Sequence, residues 1–183
     1  MKWIVALVVV LVLAGAGVWY VLTQQPAAPE AVEEEAVEIA EEMGTRTVTL
    51  YFGRTDAQGF VTESRTVPTR RYRDEEIELV IAQLLKGPLS QRAVNAFPRG
   101  TRLRHAFYDT RERVLYLDFN AALVSNLNPG SAVEMTLLGS VLRTIAIDFP
   151  EVEAVQLLVD GLEIETLGGH VDLTRPLRTE NWL

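Results

Sequence analysis

The chain has no cysteine among its 183 residues and only two histidines, His105 and His170. The lack of cysteine excludes a disulfide framework, a thiolate metal site, a cysteine nucleophile and lipid attachment to an N-terminal cysteine. Neither histidine has a second ligand at the spacing typical of a metal site. The sequence therefore predicts neither a metal site nor a cofactor.

Lysine is also scarce, because only Lys2 and Lys86 occur among the 17 basic residues. The charge is unevenly distributed. Residues 1–45 hold one lysine and seven glutamates, so they carry −6 of the net charge of −8, and residues 46–183 carry −2. A nearly balanced domain has no general electrostatic attraction for nucleic acid. We therefore expect no nucleic-acid partner.

The N-terminal residues 1–23 contain a long apolar run. Residues 3–22 carry no charged side chain, and their length matches the ~20 residues that span a bilayer as a helix. Lys2 before the run and the acidic residues after it predict a single-pass anchor in the cytoplasmic membrane, with the remainder on the extracytoplasmic side. Ala14-Gly15-Ala16 also resembles a cleavage site, so a cleaved signal peptide remains the alternative.

Residues 24–45 form an acidic linker rich in proline, alanine and glutamate. Its like charges repel each other and it has few apolar side chains to bury. We interpret this segment as a spacer between the membrane and the domain formed by residues 46–183.

The domain alternates between strand and helix patterns. Strand propensity and alternation predict strands over 47–52, 60–67, 102–108, 114–119 and 154–159, with a short strand after Gly161. Apolar spacing predicts helices over 74–86 and from Ser131 to Pro150. The order is β-β-α-β-β-α-β-β. The economical arrangement is an α+β fold with a mostly antiparallel sheet and two helices packed on one face.

The second helix and the turn after it carry further local signals. Ser131 followed by Glu134 matches the capping-box pattern at a helix start. Asp160-Gly161 predicts a tight turn between two strands. The apolar stripe of this helix is expected to include Met135, Leu138, Val141, Leu142, Ile145 and Ala146.

A series of short motifs resembles the GerMN domain, named for sporulation and spore germination proteins. The resemblance covers about 46–175 and rests on segments that occur in this order: Glu63–Val67, Leu84–Pro88, Pro98–Thr101, Leu117–Phe119 and Val155–Gly161. It implies an exported, non-enzymatic domain on the outer face of the cytoplasmic membrane, involved in sporulation, germination or the cell envelope. Some family members resemble ring-building domains. This chain has one domain copy and lacks a lipid-attachment cysteine.

Arg70, Arg71 and Arg73 are the candidate partner-binding residues. Clustered arginines bind carboxylates and phosphates through paired hydrogen bonds. The partner would be an envelope protein or a cell-wall polymer. The alternative is that these arginines pair with nearby acidic residues.

Arg65 lies in a predicted strand between apolar residues. We predict that it forms a structural ion pair with Glu134.

The candidate catalytic groups are Asp118, Glu134, Asp160 and His170. Their spacing matches no hydrolase motif, and each has a local structural role, so we predict no catalytic residue. A recognition or assembly domain is the first interpretation. A self-associating ring or scaffold component is the second, and an envelope hydrolase is the third.

Overall fold

The computed structural model describes residues 44–128 and 130–183, so the predicted anchor and most of the predicted linker lie outside the described residues. The elements in chain order are β1 (Thr45–Arg54), β2 (Phe60–Pro68), α1 (Arg73–Leu85), β3 (Ala93–Val94), β4 (Leu103–Asp109), β5 (Val114–Phe119), α2 (Ala122–Ser125), α3 (Ser131–Asp148), β6 (Ala154–Val159), β7 (Leu162–Glu163), β8 (Leu177–Arg178) and a 3₁₀ helix (Thr179–Trp182).

Two sheets form, not the single sheet that the sequence predicts. The first has the order β2-β1-β3, and the second has the order β4-β5-β6-β7 with β8 also paired to β6. β1 and β2 pair antiparallel over nine residue pairs, from Thr45 opposite Pro68 to Gly53 opposite Phe60. The α+β class and the order of the long elements are confirmed, whereas β3, α2, β8 and the 3₁₀ helix were not predicted.

One strand pair departs from the antiparallel pattern. β5 and β6 are parallel, with Val114 opposite Ala154 and Phe119 opposite Val159. The segment between them contains α3, and a helical crossover returns the chain to the same end of the sheet, so the two strands run in the same direction. β6 then turns back into β7 through Asp160 and Gly161, both with positive φ, as the sequence predicts for a two-residue turn.

The helices cover strand edges with hydrogen-bond acceptors. On α3, the carboxylate of Asp148 accepts a hydrogen bond from Thr49 N at 3.1 Å and Thr144 Oγ1 accepts one from Tyr51 N at 3.1 Å. On α1, the carboxylates of Asp74 and Glu78 accept hydrogen bonds from backbone N–H groups of β4. Because α3 occupies this edge of β1, the second sheet cannot join the first one there.

One core is shared by both sheets and both long helices. It includes Leu50, Phe52, Val67, Ile77, Ile81, Leu84, Leu115, Leu117, Phe119, Leu138, Leu142, Ile145, Phe149, Val155 and Leu157. Gly139 on α3 leaves room for the ring of Phe60, which a Cβ atom at that position would strike. Met135 was predicted to lie in the apolar stripe, but it is 46 % exposed.

The capping-box prediction for α3 is wrong. Gly130 precedes the first helical residue, and no side chain of residues 44–128 or 130–183 caps the helix start. Glu134 instead points into the loop after β7, where it meets several donors at once.

The predicted membrane helix over residues 3–22 lies outside the described residues. Of the helices that the structure describes, none combines the length and hydropathy that a bilayer span requires.

Candidate functional site

A groove runs between α1 and the start of β4. It has a volume of about 670 Å³. Its lining combines apolar and charged residues: Arg70, Glu75, Glu78, Leu79, Ala82, Leu85, Lys86, Thr101, Arg102, Leu103 and Arg104. Since α1 has 13 residues, the groove follows a helix about 20 Å long. We call this surface the basic groove.

The groove begins at the point where β4 is no longer hydrogen-bonded to side chains of α1. Near the helix N-terminus, α1 holds the edge of β4, because Asp74 accepts from Tyr108 N at 2.9 Å and Glu78 accepts from Ala106 N at 3.0 Å. The register of β4 on β5 then shifts between Leu103 and His105. A bulge of this kind bends a strand. The hydrogen bonds to α1 stop at that point, and the space beyond is the groove.

Four basic and two acidic side chains line the basic groove. Arg104 is held by Asp118 at 3.0 Å. Arg70, Lys86 and Arg102 form no ion pair with any residue in the part of the chain that the structure describes. These three cations keep their capacity to bind an anion. Sequence reasoning missed Lys86 and Arg102, although Arg102 and Arg104 alternate along the predicted strand 102–108, a pattern typical of side chains on one side of a strand.

The three predicted partner-binding arginines have different surroundings. Arg70 lines the basic groove. Arg71 is exposed, with its guanidinium 5.7 Å from the centre of the Tyr72 ring. Arg73 is paired with Glu76 at 3.2 Å and Glu151 at 2.8 Å. The structure therefore assigns Arg73 to the domain's own ion pairs.

The contacts do not support the predicted pair between Arg65 and Glu134. Arg65 donates to the carbonyl oxygens of Gln83 at 2.8 Å and Gly87 at 2.6 Å, and its other partner is Glu63 at 2.9 Å. These bonds join β2 to the C-terminal end of α1. Carbonyl groups at a helix C-terminus lack intrahelical partners, so a buried guanidinium there satisfies them.

Glu134 holds a different part of the molecule. Its side chain is fully buried and accepts hydrogen bonds from Thr166 Oγ1 at 2.9 Å, Leu167 N at 3.1 Å and His170 N at 3.0 Å. Burial is the largest influence on the carboxyl and raises its pKa. Taken together, the hydrogen bonds from the loop have a larger effect than burial, so the pKa of Glu134 is lowered from its ordinary value.

The candidate catalytic groups fall into two sets that share no described contact. Asp118 and Asp160 both approach Arg104, at 3.0 Å and 3.5 Å, and Asp118 also accepts from Gly161 N at 2.8 Å. In the other set, His170 Nδ1 lies 3.3 Å from Glu134. Within residues 44–128 and 130–183, no group of three or more His, Cys, Asp or Glu side chains is placed to hold a metal ion.

A second cavity of about 640 Å³ lies where β1, β3 and the start of α3 meet. Its wall is largely apolar and includes Val94, Phe97, Leu127 and Val133. One of its two arginines, Arg54, is paired with Asp56 at 2.6 Å. This cavity therefore offers less free charge than the basic groove.

The described residues thus form an α+β domain with a basic groove on its surface. The family model described as Germane, sporulation and spore germination, matches residues 49–165. The chain belongs to this sporulation and spore germination family.

Solved structures share the fold. The first GerMN domain of the sporulation protein GerM from Bacillus subtilis is 17% identical, with a TM-score of 0.56 over 74% of this chain and 98% of that one. The tandem GerMN domains of GerM are 16% identical and have a TM-score of 0.56 over 75% of this chain, but only 48% of the tandem chain is covered. The aligned part of this chain therefore has the fold of about half of that tandem chain.

A third structure, described as a lipoprotein from Clostridium perfringens, is 23% identical, with a TM-score of 0.53 over 75% of this chain and 90% of that one. The search of curated proteins gives no match.

Proposed function

We propose that this chain is a non-enzymatic recognition domain of the cell envelope, tethered outside the cytoplasmic membrane by residues 3–22, and that its basic groove binds an anionic polymer of the cell wall. The observation that carries the proposal is the set of three cations, Arg70, Lys86 and Arg102, which face an open groove without ion-pair partners among the described residues.

The groove suits an extended ligand with repeated anionic groups. Arg70 precedes α1, Lys86 follows it and Arg102 precedes β4, and all three line the same groove, so one extended ligand can meet several of them. Arginine binds carboxylate and phosphate through two parallel hydrogen bonds, while lysine contributes a point charge. Leu79, Ala82 and Leu85 supply apolar surface within the lining, which the carbon skeleton between the anionic groups can contact.

The location outside the membrane is supported by the uncharged run at residues 3–22 and by the acidic segment that follows it. It is also consistent with a structural neighbour that is described as a lipoprotein.

The proposal of a non-enzymatic role is supported by the use of each candidate catalytic carboxylate in a structural contact. Glu134 is fully buried and holds a loop, and Asp118 is bound to Arg104 and Gly161. Neither carboxylate faces the basic groove.

The test is co-sedimentation of the full chain, kept in mild detergent, with purified cell-wall sacculi at low and high salt. We expect binding at low salt that decreases at high salt, because the contacts are between surface charges. Equal retention at both salt levels would contradict binding through the cations of the groove. No retention at either level would rule out the wall polymer and would favour a protein partner.

A further inference from the structure

The strand β2 has one edge that the rest of the described domain leaves uncovered. Among the described strands, β2 pairs only with β1, and it is the outer strand of the first sheet. By contrast, acceptors on α3 cover the edge of β1 and acceptors on α1 cover the edge of β4. An uncovered strand of nine residues is a template for pairing with another strand.

The hydrogen bonds of β1 identify which backbone groups of β2 face outward. Thr49 N and Tyr51 N donate to α3, so they point away from β2. The alternation of an antiparallel pair then directs the N–H groups of the neighbouring residues, such as Leu50, toward β2. Leu50 is opposite Glu63, so Glu63 and every second residue from it bond to β1.

The intervening residues Thr62, Ser64 and Thr66 therefore direct their N–H and C=O groups to the free edge. All three residues are exposed, and none of these backbone groups has a hydrogen-bond partner among the residues that the structure describes. The ladder has a definite end, because Pro68, which would continue the alternation, has no N–H to donate.

The sequence of this edge is complementary to itself. Residues 61–67 are Val-Thr-Glu-Ser-Arg-Thr-Val, which is the same in both directions except that glutamate replaces arginine. If two copies pair antiparallel around a two-fold axis at Ser64, Ser64 faces the partner's Ser64 and Thr62 faces the partner's Thr66. All three outward-facing residues then form hydrogen-bonded pairs.

The same register places opposite charges across the axis. Glu63 faces the partner's Arg65, and Arg65 faces the partner's Glu63. Moving the register by two residues in one direction places glutamate opposite glutamate, and in the other direction arginine opposite arginine. Like charges directly opposite each other destabilise a strand pair, so one register is favoured over both neighbours.

Side chains beside the edge fit the same arrangement. Glu63 and Arg65 already form an ion pair at 2.9 Å with side chains only 12 % and 11 % exposed, so the dimer would contain four charges of alternating sign. Glu63 also accepts from Leu89 N at 2.9 Å, which positions an apolar side chain that is 84 % exposed next to this edge.

We propose that two copies of this chain associate through β2, edge to edge and antiparallel around Ser64, so that the two first sheets become one continuous sheet. This interface uses none of the residues of the basic groove, so a test of dimer formation is independent of a test of ligand binding. Two copies would present two grooves to one polymer, which increases the overall affinity of binding.

The absence of native cysteine permits a direct test, because an introduced cysteine has no other cysteine of the same chain to bond with. The hydrogen-bonded position on the axis brings two Cα atoms to about 5.5 Å, within the range of a disulfide. Under mild oxidation of the full chain in membranes, we expect Ser64→Cys to give several-fold more covalent dimer than Thr110→Cys, a control in the exposed turn between β4 and β5.

Two further variants test the register. Thr62→Cys or Thr66→Cys alone should give little dimer, whereas co-expression of the two should give the mixed dimer. A yield for Ser64→Cys no higher than that of Thr110→Cys would overturn the proposal.

A complementary variant removes the pairing without a cross-link. Ser64→Pro deletes an N–H that faces outward and leaves the bonds to β1 in place. We expect this variant to unfold at a temperature close to that of the wild type but to sediment as a monomer in detergent, where the wild type sediments as a dimer. A folded Ser64→Pro variant that remains as dimeric as the wild type would contradict pairing at this edge.

Discussion

At the scale of single residues, Glu134 shows how a buried carboxylate organises a segment without regular structure. The loop from Thr166 to Val171 has no helix or strand, yet several of its donors converge on one carboxylate. A buried charge is stable only when such donors compensate for its lost hydration. Glu134 therefore fixes the position of this loop over the start of α3.

Replacing Glu134 with glutamine should destabilise the domain. The amide group of Glu134→Gln would face donors with its own N–H atoms, so we expect a loss of about 2 kcal/mol in the free energy of unfolding at pH 7. Denaturant unfolding measures this loss. Glu165→Gln, an exposed carboxylate next to the same loop, is the matched control and should change stability little.

The same carboxylate predicts how stability depends on pH. Because the folded pKa of Glu134 lies below its ordinary value of 4.5, the carboxylate contributes its full stabilisation above that value. That contribution is lost as the pH falls through the folded pKa. The difference in unfolding free energy between the wild type and Glu134→Gln should therefore shrink below pH 4.5. A difference that stays constant or grows on acidification would contradict the lowered pKa.

Arg65 can be assigned to its partner by double-mutant cycles. Arg65 and Glu63 are in contact, so the losses in Arg65→Ala and Glu63→Ala should not be additive in the double variant. Arg65 and Glu134 share no hydrogen-bond partner in the structure, so Arg65→Ala and Glu134→Ala should add. If chemical denaturation gave additive losses for Arg65 and Glu63 but non-additive losses for Arg65 and Glu134, the ion pair predicted from the sequence would be supported instead.

The sequence identifies Arg65 and Glu134 as structural residues but not their partners. Each is a charged residue within a predicted strand or helix, and this local pattern is visible in the sequence. Their partners are backbone groups of the α1 C-terminus and of the loop after β7, and side-chain patterns carry no information about which backbone groups are left unsatisfied.

At the scale of elements, the free strand edges determine the architecture. α1 and α3 pack their apolar sides into the core, and each also provides polar side chains for one strand edge. This double role explains why two helices accompany two sheets in one small domain. It also leaves β2 as the long strand with an uncovered edge.

At the edge of β1, the hydrogen-bond acceptor of Asp148 contributes more to stability than its negative charge does. Burial is the main cause that raises the pKa of Asp148 above its ordinary value, so folding disfavours the charged form at neutral pH. This cost is relieved as the pH falls through the folded pKa. Asp148→Asn keeps an oxygen for Thr49 N and should leave the unfolding free energy unchanged or slightly higher at pH 7.

The comparison is with Asp148→Ala, which leaves Thr49 N without its acceptor and should cost about 1 kcal/mol. Thermal unfolding of the two variants side by side measures both effects. Equal losses in Asp148→Asn and Asp148→Ala would show that the charge, and not the acceptor, matters at this edge.

The long elements follow from the sequence because their apolar periodicity is strong, as in β1, α1 and β6. The division into two sheets does not, because it depends on which side chains of α3 reach the edge of β1. The parallel pairing of β5 and β6 is predictable from the sequence, since a strand, a helix and a strand in succession favour a parallel pair. The short strands β3 and β8 have two residues each, too few for a periodic signal, whereas β7, which is equally short, is predicted from the Asp160-Gly161 turn before it.

At the scale of the whole molecule, the basic groove joins residues that are far apart in the sequence. Arg70 precedes α1, Lys86 follows it, and Arg102 precedes β4. The sequence singles out the arginines at 70, 71 and 73 because they are neighbours in the chain. The fold instead separates Arg73 from the groove and adds Lys86 and Arg102, which only the packing of α1 beside β4 can reveal.

Substitution within the groove tests recognition most directly. The triple variant Arg70→Gln/Lys86→Gln/Arg102→Gln removes the unpaired cations while keeping polar side chains of similar length. Arg71→Gln/Arg111→Gln/Arg175→Gln removes the same charge from exposed positions outside the groove and serves as the control.

The measurement is retention of each full-length variant on cell-wall sacculi at low salt. Binding in the groove predicts that the first variant loses retention about tenfold while the control stays within about twofold of the wild type, because three contacts of roughly 0.5 kcal/mol each total about 1.5 kcal/mol. Equal losses in both variants would contradict recognition by the groove and would leave only non-specific attraction by net charge.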